Sequence, residues 1–312
     1  MAEERIPLIE TVDLKKYFKV GDKSYLHAVD GINMKVYPGE TIGVVGESGC
    51  GKSTLGRTIL RLIEPTSGQI LYNGEDITKL NARQMKRMRQ EMQIIFQDPY
   101  ASLDPRKSVI EIIAEYMIIN KTLPTKREIF NRAAHLMDVV GLARRYATAY
   151  PHELDGGRRQ RIGIARALSV NPKFIVCDEP VSALDVSIQA QILNLMQDLQ
   201  EQLGLTYLFI THNLSVVKHI SNNIMVMYLG QMVEKASSDE LFARPLHPYT
   251  KSLLSAIPLP DPEYEKNRKR IIYNPLAEHD YSVDKPTMRE VKPGHFVKCN
   301  NAEYEKYLSV LK

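Results

Sequence analysis

Apolar positions along the chain follow two rhythms. Short runs such as "TIGVV", "KFIVC" and "LTYLFIT" are rich in β-branched and aromatic residues and predict buried strands. Between them, stretches such as "STLGRTILRLI" and "GGRRQRIGIARAL" place apolar residues at helical spacing. The chain opens on strand patterns, "LIETVDLKKYF" and then "GINMKVYPGETIGVVG" with a Pro-Gly turn inside it. Strand and helix signals then alternate to about residue 235, which predicts an α/β core with a mostly parallel sheet. Residues from about 101 to 166 depart from the alternation: "SVIEIIAEYMII" and "REIFNRAAHLMDVVGL" are helical and no strand lies between them, so a helical subdomain is expected as an insertion. After "ELFARPLHPYTKSLLSAI" the proline-rich, charged "PLPDPEYEKNRKR" reads as a linker, followed by a small, less regular tail that ends in a short helix.

Composition narrows the class. A chain of 312 residues that is 44% hydrophobic and 25% charged has the make-up of a soluble globular protein. Forty-one basic against 37 acidic residues leave a net charge of +4, too mild to argue for a nucleic-acid partner. The start, "MAEERIPLIE", lacks the apolar centre of a secretion signal, and no apolar run approaches the ~18 residues of a membrane span. Cys50, Cys177 and Cys299 are far apart and odd in number, which argues against a disulfide framework and fits a reducing compartment.

The chemistry enters at Gly46-Glu47-Ser48-Gly49-Cys50-Gly51-Lys52-Ser53, which satisfies G-x-x-x-x-G-K-[ST] at every fixed position. An apolar strand runs into it and a helix pattern beginning at Ser53-Thr54 runs out. Glycines let successive backbone N–H groups converge on an anion, and the helix start adds partial positive charge. Lys52 then suits the β- and γ-phosphates and the Ser53 hydroxyl suits Mg²⁺. Cys50 is expected only to pack. Downstream, "KFIVCDEP" ends an apolar strand in Asp178 and Glu179. Strand ends are where such sheets hold ligands. Asp178 suits the metal shell, and Glu179 suits polarisation of an attacking water. Together these predict nucleoside triphosphate hydrolysis.

Four further stretches follow in order: "IIFQDP" with Gln97, "LDGGRRQR", "SALD" from Ser182 to Asp185, and "FITHN" with His212. In that order and with those gaps the chain resembles the ATPase subunit of an ABC transporter from about residue 6 to 256, with Q-loop, signature, Walker B, D-loop and H-loop. "EPVSALDVSIQAQILNLM" and "RPLHPYTKSLLSAIP" resemble the oligopeptide/dipeptide importer subfamily, and "GESGCGKSTLGR" after "LHAVDGINMKVYPGE" resembles the second of its two paired ATPases. The resemblance implies an α/β P-loop NTPase with an antiparallel N-terminal β-subdomain, a helical insert and a C-terminal extension, divided as 1–256 and 257–312. It implies ATP and Mg²⁺ as ligands and head-to-tail pairing with a second, different ATPase chain. It also implies two integral membrane permease subunits, a location on the cytoplasmic face of the membrane, and an extracytoplasmic substrate-binding protein that acts indirectly. Nucleic acid is not implied.

By position, Lys52 and the loop from Gly46 to Thr54 would hold phosphate. Ser53, Gln97 and Asp178 would serve Mg²⁺. Glu179 would be the catalytic carboxylate and His212 would contact the γ-phosphate. Asp185, with Ser182, would cross the dimer interface. An aromatic residue ahead of the loop would stack on adenine, with Tyr17 favoured over Phe18. His247, in "LHPYT", carries no evident chemistry and is expected to pack. A tail holding only Cys299 cannot ligate an iron–sulfur cluster that needs about four thiolates. Close relatives carry nickel or other solutes. ATPases of DNA repair, with long coiled coils between the two halves, and ribosome-acting proteins with two cassettes fit less well, since only about a hundred residues separate Lys52 from Asp155 and one cassette is present.

The signature departs from the family's LSGGQ. Here it reads Leu154-Asp155-Gly156-Gly157-Arg158. The glycines still allow close backbone approach to a phosphate, and Asp155 can cap the helix that follows as serine would. An ionised carboxylate cannot donate to the γ-phosphate. Arg158 is placed to pair with it. The expectation is a signature that works poorly toward the partner's ATP and an asymmetric heterodimer.

Overall fold

The computed structural model describes residues 5–257 and 270–311; the expected linker lies almost wholly outside these. The first strands are β1 (Ile9–Lys19), β2 (Tyr25–Val36) and β3 (Thr41–Val45), followed by α1 (Lys52–Ile59), β4 (Ser67–Tyr72), β5 (Glu75–Asp76), α2 (Ala82–Glu91) and β6 (Met92–Ile95). Helices alone fill the next stretch: α3 (Pro99–Ser102), α4 (Val109–Asn120), α5 (Lys126–Val139) and α6 (Gly156–Leu168), with two short 3₁₀ turns between α5 and α6. The alternation resumes with β7 (Phe174–Asp178), α7 (Val186–Leu203), β8 (Thr206–Ile210), α8 (Leu214–Ile220), β9 (Asn223–Tyr228) and β10 (Gln231–Ser237). Then come α9 (Ser238–Ala243), α10 (Pro248–Ser255), β11 (Thr287–Lys292), β12 (His295–Cys299) and a terminal helix, Asn301–Leu311.

Two sheets result. The smaller is antiparallel, in the order β2-β1-β4-β5. The larger has eight strands in the order β11-β12-β10-β9-β3-β8-β7-β6. Its five strands from β9 to β6 are parallel, and the other three are antiparallel. β3, β7 and β8 are buried at every position, which is why they read as unbroken apolar runs. One core joins this sheet to the helical insert through residues such as Ile112, Met137, Ile164 and Phe209. A second joins it to the antiparallel sheet through Leu14, Ile32, Leu55, Ile70 and Ile210. Helix starts follow their caps: the Thr125 hydroxyl accepts from the Glu128 N–H, and the Glu128 carboxylate accepts from the Thr125 N–H.

Two parts differ from the expectation. β2 begins at Tyr25, six residues before the Gly31 read as its start, because Tyr25, Leu26 and His27 are exposed and leave no alternation to read. The tail is more regular than its composition suggested. β11 and β12 form a hairpin whose β12 pairs with β10, Glu234 opposite Val297 and Lys235 opposite Phe296, so the tail continues the core sheet. Pro293-Gly294, with Gly294 at φ +80°, is the turn signal that marks this hairpin.

Candidate active site

The loop from Gly46 to Ser53 leaves the end of β3 and turns into α1. Its glycines are required by close approach. A Cβ at Gly51, where φ is +106°, would stand 1.9 Å from the Ala28 carbonyl oxygen, and one at Gly46 would stand 2.2 Å from that of Met227. β2 and the end of β9 therefore clamp the loop. The buried Lys52 curls back so that Nζ donates to the carbonyls of Gly46 and Glu47, both at 2.8 Å. An ammonium has three donors, and the third has only the Cys50 sulfur at 3.9 Å, a weak acceptor that an anion can displace. Glu47, Ser48 and Gly49 are exposed, while Cys50 is buried and burial pushes its thiol up, consistent with packing.

β7 and β8 bring the acidic pair alongside. Asp178, 1% exposed, accepts from the Ser53 hydroxyl at 2.6 Å and from Arg57 Nη2 at 3.2 Å. Arg57 lies on α1, one turn beyond Ser53. Sequence reading missed it, although its i+4 spacing from Ser53 was a usable signal. Glu179 adopts φ +48°, a left-handed conformation unusual for a non-glycine residue, and its N–H donates to the Ile210 carbonyl at 2.9 Å. That turn aims the carboxylate so that Oε2 meets both Gln97 Nε2 and His212 Nδ1, each at 3.1 Å. Gln97 follows β6 and His212 follows β8, so parallel strand ends bring both to the carboxylate.

These groups share a cleft of about 740 Å³ lined by Ser48 to Thr54, Gln97, Glu179 and His212. Its far wall is Phe18, Tyr25, Leu26 and His27. Tyr17 is not on that wall, contrary to its expected place at the adenine. Successive side chains of a strand point to opposite faces, so only one of the Tyr17–Phe18 pair can face the cleft, and that one is Phe18. Tyr17 stacks on His27, with ring centroids 3.9 Å apart, and its hydroxyl donates to Asp30. Burial and then that hydrogen bond push the phenol up to about 12.

The signature stands apart and does not line the cleft. Asp155 is the N-cap of α6, accepting from the Arg158 N–H at 2.8 Å, and its other oxygen takes the Arg158 guanidinium. Both side chains are exposed, and the guanidinium lies over the Tyr146 ring at 4.9 Å. A Cβ at Gly157 would come within 2.7 Å of Ile188, so the helix start is pressed against α7. Ser182, Asp185 and Val186 just before and within α7 are exposed too, Val186 by 83%.

The loop that ends in Lys52 and Ser53 is thus built into a cleft, while a second Gly-Gly helix start, with Gly156 half-buried and Gly157 buried, lies apart from it. A cleft that brings the loop, Gln97, Glu179 and His212 together is that of a nucleotide hydrolase of the ATP-binding cassette class. The profile of the ABC transporter family matches residues 29–182, and that of the oligopeptide/dipeptide transporter C-terminal region matches 233–283. The chain is 55% identical to the oligopeptide transport ATP-binding protein OppF of Bacillus subtilis, over 96% of this chain and 98% of that protein. It is 50% identical to the dipeptide transport ATP-binding protein DppF of Lactococcus lactis, over 96% of each. Among solved structures it is similar to the dimeric ATP-binding cassette MJ0796 in a post-hydrolysis state bound to ADP and Pi, with TM-score 0.68, 27% identity, and coverage of 74% of this chain and 98% of that one. A cbiO1 subunit of the cbiONQ complex from Clostridium perfringens gives 0.68 at 29% identity, over 76% of this chain and 91% of that one. The chain belongs to the ABC transporter family, as an ATP-binding subunit that hydrolyses ATP.

Proposed function

We propose that this chain powers the import of oligopeptides or dipeptides. The observation that carries its part in hydrolysis is the convergence of Gln97 and His212 on one oxygen of Glu179 at the mouth of the phosphate loop. ATP lies with its phosphates on Gly46 to Thr54 and its base against Phe18. Lys52 takes the β- and γ-phosphates. Ser53, Asp178 and Gln97 offer hard oxygen donors of the kind Mg²⁺ prefers; they would hold the ion, which would supply positive charge against the phosphates. Glu179 accepts the proton of the attacking water on the oxygen left by its two partners. Gln97 and His212 hold that carboxylate still, and His212 also reaches the γ-phosphate.

Pairing with a second, different ATPase supplies the other half of each site. The exposed Ser182, Asp185 and Val186 support that interface, and the dimeric cassettes among its structural relatives support the mode. One of the two permease subunits then binds at the groove of about 300 Å³ lined by Leu62, Phe96, Tyr116 and Ile119, one residue from Gln97, and the other binds the paired ATPase. Leu62 and Ile119 are 47% and 54% exposed there, apolar surface suited to an amphipathic helix. Among the described residues no helix is long and apolar enough to cross a membrane. Relatives named as transport ATP-binding proteins support a peripheral place at the cytoplasmic face, with the substrate-binding protein on the far side. Relatives named for oligopeptide and dipeptide transport support the cargo.

The test is Glu179→Gln in the assembled transporter. Phosphate release and peptide uptake should fall by roughly 10²- to 10⁴-fold while ATP still binds. Undiminished turnover would refute the role of Glu179; a defect confined to another solute would refute the cargo.

A further inference from the structure

The second residue of the phosphate loop is tied to a distant part of the chain. Glu47 donates its N–H to the hydroxyl of Tyr249, on α10, at 3.0 Å. The same peptide unit carries the Gly46 carbonyl, which accepts from Lys52 Nζ at 2.8 Å. A peptide is a rigid plane, so fixing its N–H fixes the direction of its carbonyl. The Gly46–Glu47 peptide is therefore held at one end by Tyr249 and grips Lys52 at the other.

Tyr249 is itself firmly placed. It is 1% exposed, with its ring 4.6 Å from that of Tyr228 and 5.4 Å from that of Tyr273. His247 is the N-cap of α10, and its Nδ1 accepts from the Tyr249 N–H at 3.1 Å. Pro248 sits at the first helical turn, where its missing N–H costs nothing. The fully buried Glu234 on β10 receives the N–H groups of Leu246 at 2.8 Å and His247 at 3.1 Å, and also His295 Nε2 from β12 at 2.8 Å. Each residue of His247-Pro248-Tyr249 thus has a part, and the tail hairpin reaches the phosphate loop through Glu234.

We propose that Tyr249 is a positioning residue for ATP: through the Gly46–Glu47 peptide it sets the place of Lys52 Nζ, so the C-terminal region contributes to phosphate binding. The inference rests on the reading of Gly46 to Ser53 as the site of the ATP phosphates.

Tyr249→Phe keeps the ring and removes only the hydroxyl. In the assembled transporter with full-length chains, KM for ATP should rise roughly threefold to tenfold, the range of one lost hydrogen bond, while kcat stays within about twofold. Hydrogen exchange should quicken in the loop but not in α10. An unchanged KM, with or without a lower Tm, would reduce Tyr249 to packing and overturn the proposal. Lys52→Ala separates the two layers: if it abolishes ATP binding while Tyr249→Phe changes nothing, only the positioning role fails; if it binds ATP normally, the reading of the loop fails as well.

Discussion

Ser53 donates its hydroxyl to Asp178 at 2.6 Å, joining the helix that follows the phosphate loop to a strand end 125 residues away. The pair sets two oxygens side by side, Ser53 on the cleft wall and Asp178 buried behind it, and Arg57 offsets the buried charge. Asp178→Asn keeps the shape and removes the charge. The Mg²⁺ needed for half-maximal hydrolysis should rise roughly 10- to 100-fold, while nucleotide binding in chelator changes far less. Turnover measured against Mg²⁺ concentration checks this; an unshifted Mg²⁺ requirement would remove Asp178 from the metal's shell.

Phe18 and Tyr17 give opposite expectations. Phe18 lines the cleft and has the Lys16 ammonium 5.0 Å from its ring centroid, whereas Tyr17 is engaged by His27 and Asp30. Stacking a base on an aromatic ring is worth about 1–3 kcal/mol. Phe18→Ala should weaken ATP binding accordingly, by roughly fivefold or more, and Tyr17→Phe should leave it unaltered. Titration of both variants with ATP decides between them.

His247 makes the fold sensitive to acid. Burial first, then the nearby His279, Lys298 and Lys251 charges, push its pKa down from 6.5 to about 3. Between those values the unfolded chain holds a proton that the folded chain does not. Stability is therefore full above about pH 6.5 and declines as pH falls toward 3. His247→Asn retains a helix cap and removes the titration. Between about pH 7 and pH 5 the natural chain should lose roughly 2 kcal/mol more than the variant in urea unfolding. Parallel pH profiles would contradict the assignment.

Much of this site is legible in the sequence because its parts are local. A strand, a glycine turn and a helix start form one continuous segment, and Asp178–Glu179 and His212 mark the ends of short apolar runs whose burial leaves no other reading. What escaped depends on direction or on long-range contact. Whether Tyr17 or Phe18 faces the nucleotide is a matter of strand register across three bulges between β1 and β2, which composition does not encode. The tie between Tyr249 and Glu47 spans 202 residues, and nothing near either residue announces it. The tail hairpin mixes charged and apolar residues because β11 is an edge strand.

Asp155 bears on which half of the assembled dimer works. As an N-cap paired with Arg158 it costs the fold nothing, and Asp155→Ser, which keeps a cap, should leave Tm nearly unchanged. In the proposed head-to-tail pair its consequence would fall at the partner's ATP. A carboxylate brought within about 4 Å of a phosphate charge is repelled by up to about 4 kcal/mol at an effective dielectric of 20, and Arg158 offsets part of this. The site made by this chain's signature and the partner's phosphate loop should therefore be the weaker one. In a Glu179→Gln background, which silences the site built on this chain's own loop, the residual turnover should be small. Asp155→Ser added to that background should raise it by roughly tenfold, since a hydroxyl donor replaces a repelling charge. A Glu179→Gln transporter that keeps half its turnover would mean that both sites work alike and that Arg158 has taken over the missing donor's task; a small residual turnover that does not rise would clear Asp155 of weakening its site.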